Sequence, residues 1–326
     1  MKQIVLEKPG RFAAKQGPEL APAPDEALVR MERVGVCGSD FHAYAGTHPI
    51  YTYPRILGHE LSGVVVEAPA NTKGIQPGDR CAIEPYLSCG KCRACARGRN
   101  NCCENIRLFG VHIDGGMQEF LPVPISLLHK SESLSLDQLA LIETLGIGAH
   151  AVARGGIEHG QEVIVVGAGP IGIAVAQFAA VAGATVHVVE KNEWRRCFVQ
   201  KMGYTVSPEL DHRVADVVFD ATGNPQAMGK SLSAVATTGN LVFVGLTNRP
   251  VAIDDALFHK KEVTLYSSRN SFGLFPRIIR LVEEGKIDAS RWITDRLTLA
   301  QVPSQFEDLT KRKNLIKAII SVDSAE

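Results

Sequence analysis

Val163-Ile164-Val165-Val166-Gly167-Ala168-Gly169-Pro170-Ile171-Gly172 is the stretch that decides how this chain folds. Four β-branched residues come first, and β-branched runs favour strands. A glycine-rich turn breaks the run. Apolar residues then resume at helical spacing over Ile173–Ala182, and Val186–Val189 is strand-like again. The whole stretch Val163–Val189 lacks Asp, Glu, Lys and Arg, and its length alone would cross a bilayer. Its four glycines and its early proline favour strand, turn, buried helix, strand instead, which accounts for every part. No membrane association is expected.

Gly167, Gly169 and Gly172 form G-x-G-x-x-G between a strand and a helix. In that context the glycines permit a tight turn, the approach of a pyrophosphate and close helix–strand packing. The helix N-terminus, with Pro170 and Ile171 in its first turn, would face the phosphates. Glu190 ends the next strand, where a carboxylate can bind both ribose hydroxyls of NAD. The competing reading is an ordinary βαβ turn with an acid at a helix start. Lys191, Arg195 and Arg196 follow closely, and an arginine there suits a 2′-phosphate. Glu190 weighs more because it sits at the strand end itself, so NAD is expected over NADP. Arg195, Gly245, Leu246 and Thr247 complete the candidate cofactor contacts.

Outward from this unit the rhythm is βα alternation. Strands are expected at Val163–Val166, Val186–Val189, Val217–Asp220, Leu241–Gly245 and Val263–Ser267, with helices at Trp194–Met202 and Gln226–Val235. That pattern implies a doubly wound parallel sheet. The first half reads differently. Short strand-like runs such as Ala27–Val34, Leu61–Glu67 and Arg80–Pro85 alternate with Pro- and Gly-rich pieces, so a mostly β region is expected there. Ser135–Ala153 reads as helix. After Ser268 the pattern is helix (Phe275–Glu284), loop, strand, helix and a polar tail, Asp323–Glu326.

The 326 residues suggest about two domains. The formal charge is zero, with 35 basic and 35 acidic residues, which argues against a nucleic-acid partner. Met1–Lys8 shows neither an apolar region nor a small-residue cleavage site, so no secretory signal is expected. A cytoplasmic location follows. In that setting dense cysteines mean metal rather than disulfides.

Cys89, Cys92, Cys95 and Cys103 form C-x2-C-x2-C-x7-C. Thiolates at this spacing can close a tetrahedral shell around zinc from one loop, with no open position, so the site reads as structural. An iron–sulfur cluster would favour a final gap of three followed by proline. Cys102 adjoins Cys103 and is the alternative fourth ligand. A second constellation is scattered: Cys37, His59, Glu60 and Glu143. Singly, these read as a buried thiol, a core histidine and a solvated helix residue. Together they supply a thiolate, an imidazole and one or two carboxylates upstream of a dinucleotide fold, which suits a catalytic zinc.

Gly58-His59-Glu60, the four-cysteine lobe and the later Gly-x-Gly-x-x-Gly stand in an order that resembles the zinc-dependent medium-chain alcohol dehydrogenases along essentially the whole chain. Glu143 in Ile142-Glu143-Thr144-Leu145 is similar to the polyol, threonine and sugar-acid dehydrogenase branch, which usually places proline where this chain has Thr144. Tyr53–Glu60 and Leu108–Gly116 also resemble bacterial sugar-acid 5-dehydrogenases. The resemblance implies a GroES-like β-rich catalytic domain of residues 1–147 and 271–326, a Rossmann domain of 148–270, two zinc ions per chain, and a homodimer or homotetramer joined through Val263–Ser267. It implies a small-molecule substrate: a secondary alcohol of a sugar acid or polyol, oxidised with hydride transfer to NAD. Zinc on Cys37, His59 and Glu143 would act as Lewis acid, with Glu60 as a ligand when substrate is absent. Asp40 would orient His59, and Ser39, the cofactor ribose and His42 would carry the proton away. L-threonine is the alternative substrate, and a non-catalytic NAD- and zinc-binding regulator is the alternative of another class. Residues 43–53, 108–118 and 268–275 are expected to shape the pocket, with Tyr44, His48, Arg269 and Asn270 near substrate.

Overall fold

The strand Glu26–Val36 organises the first of two compact units. The structure, a computed structural model, describes residues 1–322; the polar tail Asp323–Glu326 lies outside the described residues. One unit is Met1–Glu143 with Phe275–Glu326, the other Thr144–Leu274.

In the first unit Glu26–Val36 pairs antiparallel with three neighbours: Glu60–Glu67, Phe120–Pro124 and Lys317–Ser321. The sheet runs Ile293–Thr298, Lys317–Ser321, Glu26–Val36, Glu60–Glu67, Arg80–Ile83, Leu128–Lys130. The inward faces of these strands, with Leu6, Met31, Leu57, Leu61, Met117 and Phe306, make one buried apolar core. Register sets up the site. Gly35 stands opposite Glu60, Val34 opposite Leu61, and Ala318 opposite Val36. A side chain at Gly35 would have its Cβ 2.1 Å from Glu60 Oε2, so the absence of a side chain there is what lets the carboxylate lie across the strand.

The second unit is a six-stranded sheet, all parallel: Thr205–Ser207, Thr185–Val189, Glu162–Val166, Ala215–Asp220, Val235–Phe243, Thr264–Ser267. Numbered in chain order this is 3-2-1-4-5-6, the doubly wound dinucleotide-binding order. Strand order reverses beside Glu162–Val166, so the crevice at its carboxyl end, where the glycine turn lies, is the ligand position of such sheets.

The elements differ from the sequence pattern in several places. The long helix expected over Ser135–Ala153 is two, Leu136–Ala140 and Ile142–Gly155. Ser135 caps the first by accepting from the Gln138 N–H at 3.2 Å. The break puts Glu143 in the first turn of the second helix. The helix expected to reach Val235 stops earlier: Pro225–Ser231 runs into a tight turn over Leu232–Ala234, and the buried Val235 opens the strand. Two strands were not expected, Thr205–Ser207 and Lys317–Ser321. No helix among the described residues is long and apolar enough to cross a membrane.

Candidate active site

Cys37 ends the strand Glu26–Val36 and caps the helix Gly38–Tyr44. Its backbone N–H donates to Asp40 Oδ2 at 2.9 Å, closing a capping box that fixes the thiol's direction. His59 and Glu60 enter at the start of the neighbouring strand, Glu60–Glu67. The ligand atoms of Cys37, His59 and Glu60 all lie within 4.8 Å of one another. His59 Nδ1 is 3.8 Å from Asp40 Oδ1, and neither atom has a hydrogen-bond partner. At that distance Asp40 attracts the ring electrostatically without a formed hydrogen bond.

Glu143 is buried within reach of the His59 charge, and Tyr86 donates a hydrogen bond to its Oε1. The solvated-residue reading of Glu143 is thereby overturned, since it is only 5% exposed. Lys317 is also buried. Its Nζ donates to both Glu60 oxygens, at 2.6 and 2.7 Å, and to the Val36 carbonyl at 3.2 Å.

The electrostatics ask for a cation. Burial raises the carboxyl pKa of Asp40 and of Glu143, although His59 opposes it in both. Burial opposes protonation of His59, yet Cys37 and Asp40 beside it hold its pKa well above the ordinary histidine range. Burial likewise works against the Lys317 charge, and Glu60 overcomes it. Three buried carboxyls and a thiol thus share one buried amine. A soft-to-borderline divalent ion suits a thiolate–imidazole–carboxylate set and supplies the missing positive charge.

The four-cysteine lobe is equally explicit. The sulfurs of Cys89, Cys92, Cys95 and Cys103 lie within 4.8 Å of one another, with Cys92–Cys95 at 3.5 Å and Cys92–Cys103 at 3.9 Å. Zinc–sulfur bonds of ~2.3 Å in a tetrahedron require sulfurs about 3.8 Å apart. Backbone amides of Lys91 and Cys92 hold the Cys89 thiol down at about 6. Cys103 is in this group and Cys102 is exposed, which separates the two candidates the spacing left open.

In the other unit Gly167 has φ +99°, a left-handed conformation that favours glycine. A Cβ on Gly172 would lie 1.8 Å from the Gly167 carbonyl oxygen, whereas one on Gly169 would meet nothing within 4 Å. The helix Pro170–Val181 therefore starts in tight contact with the turn, and its Gly169 cap leaves the amide end without a side-chain partner. Glu190 accepts from the Ala168 N–H at 2.7 Å and the Asn192 N–H at 2.8 Å. Arg196 is committed to the carbonyls of Glu190 and Lys191, at 2.9 and 2.6 Å. Arg195 lies in the helix Glu193–Lys201, whose cap Asn192 accepts from the Arg195 N–H at 3.0 Å. Gly245 crowds Gly223, Leu246 is 85% exposed, and Thr247 Oγ1 accepts from the Arg249 N–H at 3.2 Å.

Residues 23–133 match the alcohol dehydrogenase GroES-like domain, and residues 170–284 match the zinc-binding dehydrogenase domain. The chain is 37% identical to L-galactonate-5-dehydrogenase of Escherichia coli K12, over 98% of this chain and 99% of that one. It belongs to the zinc-dependent medium-chain alcohol dehydrogenases. Two solved dehydrogenase structures share the fold along nearly their whole length. One from Sinorhizobium meliloti 1021, bound to NADP, has a TM-score of 0.90 at 29% identity and covers 98% of this chain and 99% of its own. One from Escherichia coli CFT073, complexed with NADH, has a TM-score of 0.92 at 26% identity and covers 99% of each.

For a member of this family, two residues around the metal set escaped the sequence reading. Lys317 carried a signal: one lysine inside the apolar run Leu315-Ile316-Lys317-Ala318-Ile319-Ile320. Tyr86 carried none. Among the residues that were singled out, Ser39 is half-buried in the first turn of Gly38–Tyr44, and His42 is exposed in its last turn with Nδ1 3.1 Å from Thr47 Oγ1. Tyr44 is taken up by ring contacts with Phe12 and Phe306 at 5.6 and 5.3 Å.

Proposed function

We propose that this protein is a zinc-dependent, NAD-linked dehydrogenase that oxidises a secondary alcohol of a sugar acid or polyol to the ketone. One observation carries the reading: Cys37, His59 and Glu60 converge within 4.8 Å, beside the buried Glu143, in a chain similar end to end to a sugar-acid dehydrogenase. Cys37, His59 and Glu143 would hold the catalytic ion, and Glu60, paired with Lys317 here, would be the further ligand when substrate is absent. The ion supplies Lewis acidity, which lowers the pKa of the substrate hydroxyl. Asp40 keeps the His59 ring oriented through its charge and the Cys37 thiol through its cap. Ser39 Oγ takes the hydroxyl proton, and the exposed imidazole of His42 delivers it to water.

Cys89, Cys92, Cys95 and Cys103 hold the second, structural ion. Gly167, Gly169, Gly172, Glu190 and the start of Pro170–Val181 bind NAD, with Arg195, Gly245, Leu246 and Thr247 around it. A homodimer or homotetramer belongs to the same reading.

The deciding experiment incubates zinc-loaded protein and NAD with aldonates, polyols, L-threonine and simple alcohols, and follows absorbance of the reduced nicotinamide. Turnover is expected on an aldonate or polyol, to be lost on chelation and regained with zinc. Best turnover on L-threonine, or none on any alcohol, would overturn the proposal.

A further inference from the structure

The strand Tyr86–Leu87 pairs antiparallel with Arg107–Leu108, Tyr86 opposite Leu108 and Leu87 opposite Arg107. The Phe109 N–H adds a bond to the Pro85 carbonyl at 3.2 Å. The four-cysteine lobe is the loop of this hairpin. Cys89 follows the outgoing strand and Cys103 precedes the returning one. The two arms meet there, with the Cys89 N–H donating to Cys103 Sγ at 3.2 Å. On its other side the hairpin reaches the catalytic set. Tyr86 is 7% exposed, and its hydroxyl donates to Oε1 of the buried Glu143.

Two links follow from this geometry. The first runs from the lobe to Tyr86. A lone two-stranded hairpin is marginally stable at best, and Leu87 and Leu108 are only partly buried against the core. An ion shared by Cys89 and Cys103 cross-links the outgoing arm to the returning one beside the paired residues, and so holds the register that places Tyr86. The second link runs from Tyr86 to Glu143. A carboxylate bonded at one oxygen presents the other in a fixed direction. Without that bond the glutamate turns about its side-chain torsions, and groups that orient a metal ligand are worth about 10- to 100-fold in metal affinity.

We propose that Tyr86 is the positioning residue through which the four-cysteine lobe strengthens binding of the catalytic ion. Filling the lobe fixes the hairpin, the hairpin fixes the Tyr86 hydroxyl, and the hydroxyl aims Glu143. The two ions therefore bind cooperatively. This rests on the two ligand sets of the reading above.

The experiment measures zinc affinity by competition with a chromophoric chelator. Cys37→Ser and Cys92→Ser proteins, each keeping one ion, assign the two steps. Tyr86→Phe keeps the ring and removes only the hydroxyl, and it should weaken the catalytic ion about 10- to 100-fold. Cys92→Ser should weaken that same ion about tenfold or more. The two substitutions together should cost no more than about twofold beyond the larger single effect, because both act through one contact. A catalytic-ion affinity unchanged in either single variant, or losses that multiply in the double, would overturn the proposal. If Cys92→Ser does not fold, reciprocity decides: emptying the catalytic set with Cys37→Ser should weaken the lobe ion about tenfold or more, and adding Tyr86→Phe should change it no further. An unchanged lobe affinity overturns the coupling. Two bound ions without turnover on any alcohol refute the dehydrogenase reading and leave these affinities to judge the coupling. A wild type that binds zinc only in the lobe refutes both.

Discussion

Glu190 shows how much one side chain can decide. Both of its oxygens accept backbone N–H bonds, one from the glycine turn and one from Asn192, so the carboxylate is held at the end of its strand. A ribose 2′-phosphate brought there would meet the Glu190 carboxylate, and Arg196 Nη1 is already bonded to two carbonyls. The expected outcome is a kcat/KM ratio of NAD to NADP above ten, shrinking at least tenfold in Glu190→Ala. A wild-type ratio at or below one would refute the assignment. At this scale the sequence was legible wherever a residue type is chemically restricted. Cys37, His59 and Glu60 stood out because few roles need a thiol, an imidazole and a carboxylate together. Tyr86 did not, because a tyrosine is most often a core aromatic and only the orientation of its hydroxyl says otherwise.

Among the elements, the strand Lys317–Ser321 brings a buried amine to the metal set from the far end of the chain. Its apolar residues wedge it between Ile293–Thr298 and Glu26–Val36, and the one lysine at its start reaches Glu60 in the interior. Removing one partner of a buried ion pair costs about 3–5 kcal/mol, whereas removing both is often close to neutral. Lys317→Met should therefore lower urea-unfolding stability by that amount, and Lys317→Met combined with Glu60→Gln should restore most of it. Equal stability of the single and double variants would show that the pair is not coupled. The pattern predicted the β-branched buried strands of the second unit, such as Glu162–Val166 and Ala215–Asp220. Thr205–Ser207 was missed because three partly exposed residues carry no periodicity. The helix break before Glu143 was missed because apolar spacing runs straight through Leu141, which is itself buried. The break falls at Leu141, the C-cap of Leu136–Ala140, and composition does not reveal it.

For the molecule as a whole, the four-cysteine lobe tests whether metal and fold are one equilibrium. Only short pieces of secondary structure, Arg93–Ala96 and Asn100–Cys102, lie between its cysteines, so little apart from a bound ion holds the loop. Cys92→Ser should lose one zinc per chain by elemental analysis. A loss of ~3 kcal/mol, at the heavy end for single substitutions, would lower the melting temperature by about 6–12 °C. Full metal content with an unchanged melting temperature would refute a structural ion there. The reading of the chain as a doubly wound sheet came from one glycine turn and its flanking runs, because alternation along a chain reports directly on a parallel sheet. The first unit was less legible, since its sheet joins segments from both ends of the chain, and such pairing leaves no local trace. That pairing also sets an order in time. Glu60 and Lys317 are separated by 257 residues. At ~5–20 residues per second a ribosome needs roughly 13–50 s to pass from one to the other. Throughout that interval the second unit's strands, all contained between the two, can pair among themselves, while Glu60 has no amine to meet and stays in water. The dry interior of the metal set is thus among the last things this protein acquires, and a chain stalled before Lys317 would carry its cysteine, histidine and glutamate without being able to bury them.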